Sequence, residues 1–210
     1  MPGDRAVLTG GFLRPARLPP EATDAAFAVL ADAAAAASAW HGASLRLTRF
    51  QGERWQCLLA EPGLALRTAL FLQAQLRAGG ARLETQIAAG IGAIERPGAK
   101  DLTDAAGEAF RRADAAFRAM RRGRRIVLAR AGARPPATVL FTLADAISQR
   151  WTTAQAEALV YALLPDPPTQ AEIAAALGSK QQNIAARLDA AGFWALSEAM
   201  AAIEAVLSRP

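Results

Sequence analysis

The stretch LRLTRFQGERWQCLL, Leu45 to Leu59, decides the fold. Leu45 to Phe50 alternates apolar with polar side chains, the period of a half-buried strand. Gln51-Gly52-Glu53-Arg54 supplies a tight turn, and Trp55 to Leu59 runs back as the return strand. Residues 45–59 therefore read as a β-hairpin. Upstream, Pro19-Pro20 opens a long helix from about Glu21 to Trp40, and before it Ala6 to Thr9 is a short strand ending at Gly10-Gly11, a turn or a close backbone approach. Downstream, Pro62-Gly63 leads into a helix over Leu64 to Ala78. A strand over Leu83 to Ile94, a helix over Thr103 to Met120 and a short strand over Ile126 to Ala129 follow. The order is β, α, β-hairpin, α, β, α, β. It fits neither strict βαβ alternation nor an all-β sandwich. It implies an α+β domain of ferredoxin-like type, a mainly antiparallel sheet with helices packed on it.

The segment Arg130-Ala-Gly-Ala-Arg-Pro-Pro-Ala137 has no apolar period and ends this domain. The division is residues 1–132, a linker at 133–137, and an all-helical second domain at 138–210. Charge divides at the same place. The first 137 residues hold 20 of the 24 basic and 12 of the 19 acidic groups, a net +8, and the remainder carries −3. A surface for an anionic partner is thus expected on the first part.

Composition removes whole classes of function. Apolar residues make up 52% of the 210, enough for a buried core. About a quarter are Ala, which favours helix. The richest apolar stretch, Ala25 to Trp40, is built of Ala and interrupted by Asp32, so no membrane partner is expected. The N-terminus shows no secretory apolar region, and a cytoplasmic location is expected. The single cysteine, Cys57, excludes an internal disulfide and a cysteine-built zinc site. The single histidine, His41, argues against a multi-histidine metal centre; no metal and no cofactor are expected.

In the second part, Thr152 or Thr153 caps a helix that runs to Leu164 and stops at Pro165-Asp-Pro-Pro168. Thr169 with Glu172 three residues on is a capping box for a short helix ending at Gly178. A second helix starts near Ser179 and ends at Gly192. Ala174, Gly178 and Ile184 supply what a helix-turn-helix needs: a small residue at the helix contact, a residue tolerant of positive φ at the turn, and an apolar residue on the inner face. The outward side of the second helix carries Ser179, Lys180, Gln181, Gln182, Asn183 and Arg187. Amides pair bidentately with adenine, and Arg or Lys reach guanine or phosphate, so these six are the candidate DNA-binding residues. Phe193 to Leu207 is a terminal helix with a wide apolar stripe, divided between packing on its own domain and a dimer contact.

Several stretches, in their order, carry a resemblance. They are Gly52-Glu53 followed by Trp55-Gln56, Ile87-Ala-Ala-Gly-Ile-Gly92, Asp101-Leu-Thr-Asp-Ala-Ala-Gly-Glu-Ala-Phe110, Thr169-Gln-Ala-Glu-Ile-Ala and Lys180-Gln-Gln-Asn-Ile. Together they resemble the SatD-like family of bacterial proteins. The resemblance implies a nucleotide-cyclase-like or GGDEF-like α+β domain joined to a C-terminal helix-turn-helix, in a family commonly grouped with transcriptional regulators. In active cyclase-type domains, carboxylates at the end of the first strand and at the hairpin bind the metal ions that position a nucleoside triphosphate. Here Glu53 stands at the hairpin, but Gly11 stands where the pattern has Asp. Asp101 and Asp104 are not required to approach the sheet end. The resemblance thus implies a non-catalytic first domain with no catalytic residues.

That domain still offers cations. Arg49 and Arg54 flank the hairpin turn, and Arg118, Arg121, Arg122, Arg124 and Arg125 form the densest charge cluster. Arg49, Glu53, Arg54, Arg121, Arg122, Arg124 and Arg125 are therefore the candidate residues for a nucleotide or another anionic ligand. The expectation is a DNA-binding transcriptional regulator, homodimeric, whose first domain senses or dimerises. The alternatives are a divergent nucleotidyl cyclase, resting on Glu53, and a protein-interaction module, resting on the −3 charge and the stripe at 193–207.

Overall fold

The computed structural model describes residues 4–13, 19–50, 52–80, 84–132 and 135–207. Gln51 of the expected turn, Leu83 at the expected strand start, and residues 133–134 of the expected linker lie outside them, as do the chain ends expected within each domain.

Strand β1 is Arg5–Phe12, and helix α1, Pro20–Ala37, continues into a 3-10 turn at Ser38–His41. Strands β2, Arg46–Arg49, and β3, Arg54–Leu59, form the expected hairpin. Helix α2, Ala65–Ala78, precedes strand β4, Thr85–Gly92. The sheet closes with β7, Ile126–Arg130, after the small pair β5, Ile94–Arg96, and β6, Ala106–Gly107, and helix α3, Glu108–Arg118. Sheet order is β2-β3-β1-β4-β7. Three neighbouring pairs are antiparallel, and β4 with β7 is parallel, so the sheet is mixed. The chain is an α+β protein with a five-stranded mixed sheet.

Three local readings change. Gly10 and Gly11 do not end β1; they lie inside it, and Gly10 takes the close backbone approach. The helix expected over 103–120 begins only at Glu108, because Ala106–Gly107 pair with β5 first. A helix, α4, Pro135–Ser148, starts inside the stretch expected as linker. Two prolines suit a first helical turn, where the missing N–H groups would have had no partner.

Strand parity separates two faces. Ala6, Leu8, Trp55, Cys57, Leu59, Ile87, Ala89, Ile91, Ile126 and Leu128 point to one face and join the main core. On the other face, small residues at Ala88, Gly90 and Gly92 let α3 lie close. A Cβ on Gly90 would stand 2.3 Å from the Ala109 carbonyl oxygen and the Ala113 nitrogen. Val7, Leu58, Leu102, Ala109, Phe110 and Ala113 form the second, smaller core there.

The remaining helices are α5, Thr153–Ala162, α6, Gln170–Ala176, α7, Gln181–Ala190, and α8, Phe193–Leu207. They extend the main core rather than starting a new one. Phe141, Leu159, Ile184 and Leu207 belong to the same buried cluster as Leu8 and Trp55. Helix α2 is buried nearly all round, from Leu66 to Leu76, as a helix between two layers must be. Ion pairs cross this contact. Arg67 Nε donates to Glu204 Oε1 at 2.7 Å, and Arg124 Nε to Asp145 Oδ2 at 2.8 Å. Two of the acidic groups behind the −3 balance are therefore turned inward onto arginines of the first part. The stretch Pro20–His41, 22 residues with an 18-residue window of mean hydropathy 1.2, has the length and composition of a membrane span. Its stripe Ala26, Phe27, Leu30, Ala33, Ala34 and Ala37 is buried in the main core.

Candidate functional site

Two places gather functional side chains. The first is α6, the turn and α7. The Thr169 side chain accepts from the Glu172 backbone N–H at 3.3 Å, and Glu172 Oε2 accepts from the Thr169 N–H at 2.7 Å. This capping box starts α6 where the sequence places it. The Thr169 hydroxyl, donating to Glu172 Oε2 at 2.7 Å, and then the Thr169 N–H hold the Glu172 carboxyl below its usual range. The chain then turns through Gly178 at φ +58°, with Ser179 N–H donating to the Ala174 carbonyl at 2.8 Å. Only glycine takes this left-handed conformation without strain. Ile173, Ala174, Ile184 and Leu188 are buried against the main core, which fixes the roll of both helices.

That roll turns the first turn of α7 outward. Lys180, Gln181, Gln182 and Asn183 are exposed, and Ser179 and Arg187 are half-buried. Lys180, Gln181 and Gln182 make no side-chain hydrogen bond to another described residue. Asn183 touches Ser179 Oγ at 3.5 Å, and Arg187 lies 3.4 Å from Glu157. Five of the six candidate residues thus form one surface, with Arg187 a turn further along, tethered to α5.

The second place is the α3 face of the sheet. A cleft of about 460 Å³ lies between β3, α3 and the loop before β6. Phe50, Leu102, Ala105 and Phe110 supply its apolar lining, and Arg54, Gln56, Thr103 and Asp114 its polar groups. Parity places Arg54 and Gln56 on this face, and helical spacing aligns Phe110, Asp114, Phe117 and Arg118 opposite them. Arg54 Nη2 donates to Asp114 Oδ1 at 2.9 Å, and its guanidinium lies 5.0 Å from the Phe117 ring centre. Gln56 Nε2 donates to Thr9 Oγ1 at 3.1 Å and to Asp114 Oδ1 at 3.3 Å. Arg118 approaches the other Asp114 oxygen at 3.6 Å. Arg54 Nε is buried and has no acceptor among the described residues. An unmet buried donor of this kind costs about 1–3 kcal/mol.

The loop forming the cleft wall is held to the hairpin. Arg46 donates to the carbonyls of Gly98 and Ala99 at 3.2 and 3.0 Å, and Leu102 N–H donates to Thr48 Oγ1 at 3.1 Å. Asp101 and Asp104 serve this loop. Asp101 Oδ1 accepts from the Thr103 N–H at 2.8 Å, which lowers its pKa, and Asp104 Oδ1 accepts from the Ala99 N–H at 3.3 Å.

The candidate anion-binding residues do not converge. Arg49 pairs with Asp24 at 2.6 Å and stacks on Phe27. Arg124 pairs with Asp145, and Arg125 with Glu84 at 2.6 Å. Arg121 and Arg122 are exposed in the turn after α3. Arg54 alone of the group faces the cleft. Glu53 is half-buried at the hairpin, where its carbonyl accepts from the Phe12 N–H at 3.2 Å. At Gly11 a Cβ would stand 3.0 Å from the Phe117 ring, close enough that the ring would have to give by a few tenths of an ångström. Among the described residues no three His, Cys, Asp or Glu side chains gather in a metal-binding group. Gln56, Asp114, Thr9 and Phe110 were not among the candidate site residues expected from sequence. Parity of the return strand and the four-residue spacing of Phe110 and Asp114 were the available signals.

The fold and the cleft define an α+β chain whose sheet domain presents a walled face beside a helical bundle. Over 60% of its length it is similar to a bacterial light-regulated adenylyl cyclase, at TM-score 0.38 and 15% identity, covering 75% of that chain. A second structure of a bacterial light-regulated adenylyl cyclase gives TM-score 0.39 and 16% identity over 60% of this chain and 42% of that one. No family model and no curated protein matches the sequence.

Proposed function

We propose that the chain is a DNA-binding transcriptional regulator of the cytoplasm, working as a homodimer, in which the first turn of α7 reads the major groove. The supporting observation is the exposed run Lys180, Gln181, Gln182 and Asn183, presented by a helix pair whose turn rests on Gly178. An amide-rich first turn matches what such a helix needs to meet base edges. The net −3 of this part is less of an obstacle than it looks from sequence. Asp145 and Glu204 neutralise Arg124 and Arg67 instead of facing outward. In this reading the sheet domain has a nucleotide-cyclase-like course but does no catalysis, because Gly11 supplies no metal ligand.

Titration of labelled genomic fragments by fluorescence anisotropy tests the proposal. Specific binding that weakens steeply with salt is expected. Gln182→Ala with Arg187→Ala should weaken it about tenfold or more, the worth of one to two base contacts. Unchanged affinity in that double variant overturns the assignment.

A second reading, a protein-interaction module, draws on exposed Val139, Leu143, Trp194 and Val206 on α4 and α8. Absence of any DNA binding by the wild type would favour it.

A further inference from the structure

We infer that the cleft on the α3 face is a binding site for a small aromatic monocarboxylate. The inference is independent of the DNA reading. It rests on the cleft's size, lining and charge.

A volume of about 460 Å³ lies within the range that holds a small organic ligand. Phe50, Leu102, Ala105 and Phe110 give the cleft an apolar wall against which a ring can pack. One polar group is left over. The Arg54 guanidinium is oriented by Asp114 on one nitrogen and by the Phe117 ring on its face, while its buried Nε finds no acceptor among the described residues. Nε has no accessible surface, so the nitrogen left for a carboxylate oxygen entering the cleft is Nη1, which bonds no described residue and would meet it in a charge-assisted bond.

The local charge sets the ligand's charge. Arg54 and Arg118 meet a single carboxylate, Asp114, which leaves one positive charge uncompensated. A monoanion neutralises the group. A phosphate or a polyphosphate would bring a second negative charge toward Asp114. The ligand is therefore flat, apolar and singly charged.

The site is preorganised. The loop wall is held by the Arg46 and Thr48 bonds, and Gln56 braces Asp114 while bonding Thr9. A ligand entering it pays little ordering cost.

Isothermal titration of the full chain with benzoate and phenylacetate tests the inference. Their neutral amides, inorganic phosphate and adenosine monophosphate are the comparison probes. Saturable one-to-one binding of at least one of the two acids is expected, about tenfold or more tighter than its amide. Arg54→Gln should erase the preference for acid over amide. Ala105→Phe, which fills the cleft from its wall and leaves the Arg54–Asp114 pair intact, should abolish binding while circular dichroism stays that of the wild type. No saturable binding of either acid to the wild type overturns the inference. So do equal binding of acid and amide, tighter binding of adenosine monophosphate or phosphate, and unchanged binding in a folded Ala105→Phe protein. None of these results bears on DNA affinity, so the two readings fail separately.

Discussion

Gly10 and Trp55 face each other across β1 and β3 with no room for a methyl group between them. A Cβ at residue 10 would stand 2.2 Å from indole carbons Cε2 and Cζ2. The indole cannot step aside. It is fully buried, and its Nε1 donates to Thr85 Oγ1 at 3.1 Å, whose own hydroxyl donates to the Gly11 carbonyl. Gly10→Ala should therefore destabilise by at least the ~1–3 kcal/mol of an overpacked core. A urea midpoint equal to the wild type's would show that Trp55 does not occupy this space.

Asp145 joins the two parts of the chain. It is 1% exposed, accepts the Arg125 and Ile126 backbone N–H groups at 3.1 and 3.0 Å, and takes Arg124 Nε at 2.8 Å. Asp145→Ala leaves a guanidinium and two N–H groups without their acceptor. The expected loss is about 3–5 kcal/mol, the usual effect of halving a buried pair. The loss should appear in one cooperative transition, because the core runs unbroken from the sheet into α8. Two separated transitions would contradict that continuity.

The elements were legible where local chemistry sets them. The hairpin turn, the Thr169 capping box and the glycine stop at Gly178 each act within four residues, so sequence spacing carries them; it narrows the Thr152 cap only to Thr152 or Thr153. The cleft was not legible as a site. Its Arg54, Gln56 and Asp114 come from a strand and a helix 58 to 60 residues apart, and only the sheet register brings them together. Sequence also left the partners of the arginines open. Arg49, Arg124 and Arg125 looked like free cations, but each is neutralised by an acid from a distant element.

His41 makes stability depend on pH. It is 4% exposed, its Nε2 meets Thr68 Oγ1 at 3.1 Å, and its Nδ1 accepts the Glu61 N–H at 3.2 Å. Burial lowers its pKa from 6.5 to about 4. The unfolded chain then binds a proton that the folded chain refuses. The contribution is fully present above pH 6.5 and is lost as the pH falls toward about 4. The loss is on the order of 3 kcal/mol. Urea midpoints of the wild type and His41→Asn at several pH values check this. The difference between them should shrink on acidification; a constant difference would mean that His41 titrates normally.

Cys57 should be chemically silent in the folded protein. It is fully buried in β3, and burial raises its thiol pKa from 9.0 to about 12. Almost no thiolate exists at neutral pH, and the thiolate is the nucleophile. An aromatic disulfide reagent should label it only at the rate of unfolding, so that labelling accelerates with urea. Rapid labelling in buffer would place Cys57 at the surface.

Gly178 isolates backbone strain from packing. Its φ is +58°, yet nothing lies within 4 Å of where a Cβ would stand. A larger side chain there meets no obstacle, so any cost comes from the left-handed conformation itself, about 1–2 kcal/mol for an ordinary residue. Asn tolerates that region better than Ala, and Ala better than Val. The expected order of stability is Gly178, then Asn, Ala and Val. DNA affinity in the anisotropy titration should fall in the same order, because relief of the strain swings α7 relative to α6. A set of variants equal in stability would remove the left-handed turn. A set that loses stability but keeps full affinity would separate the turn from recognition and move the DNA contact away from α7.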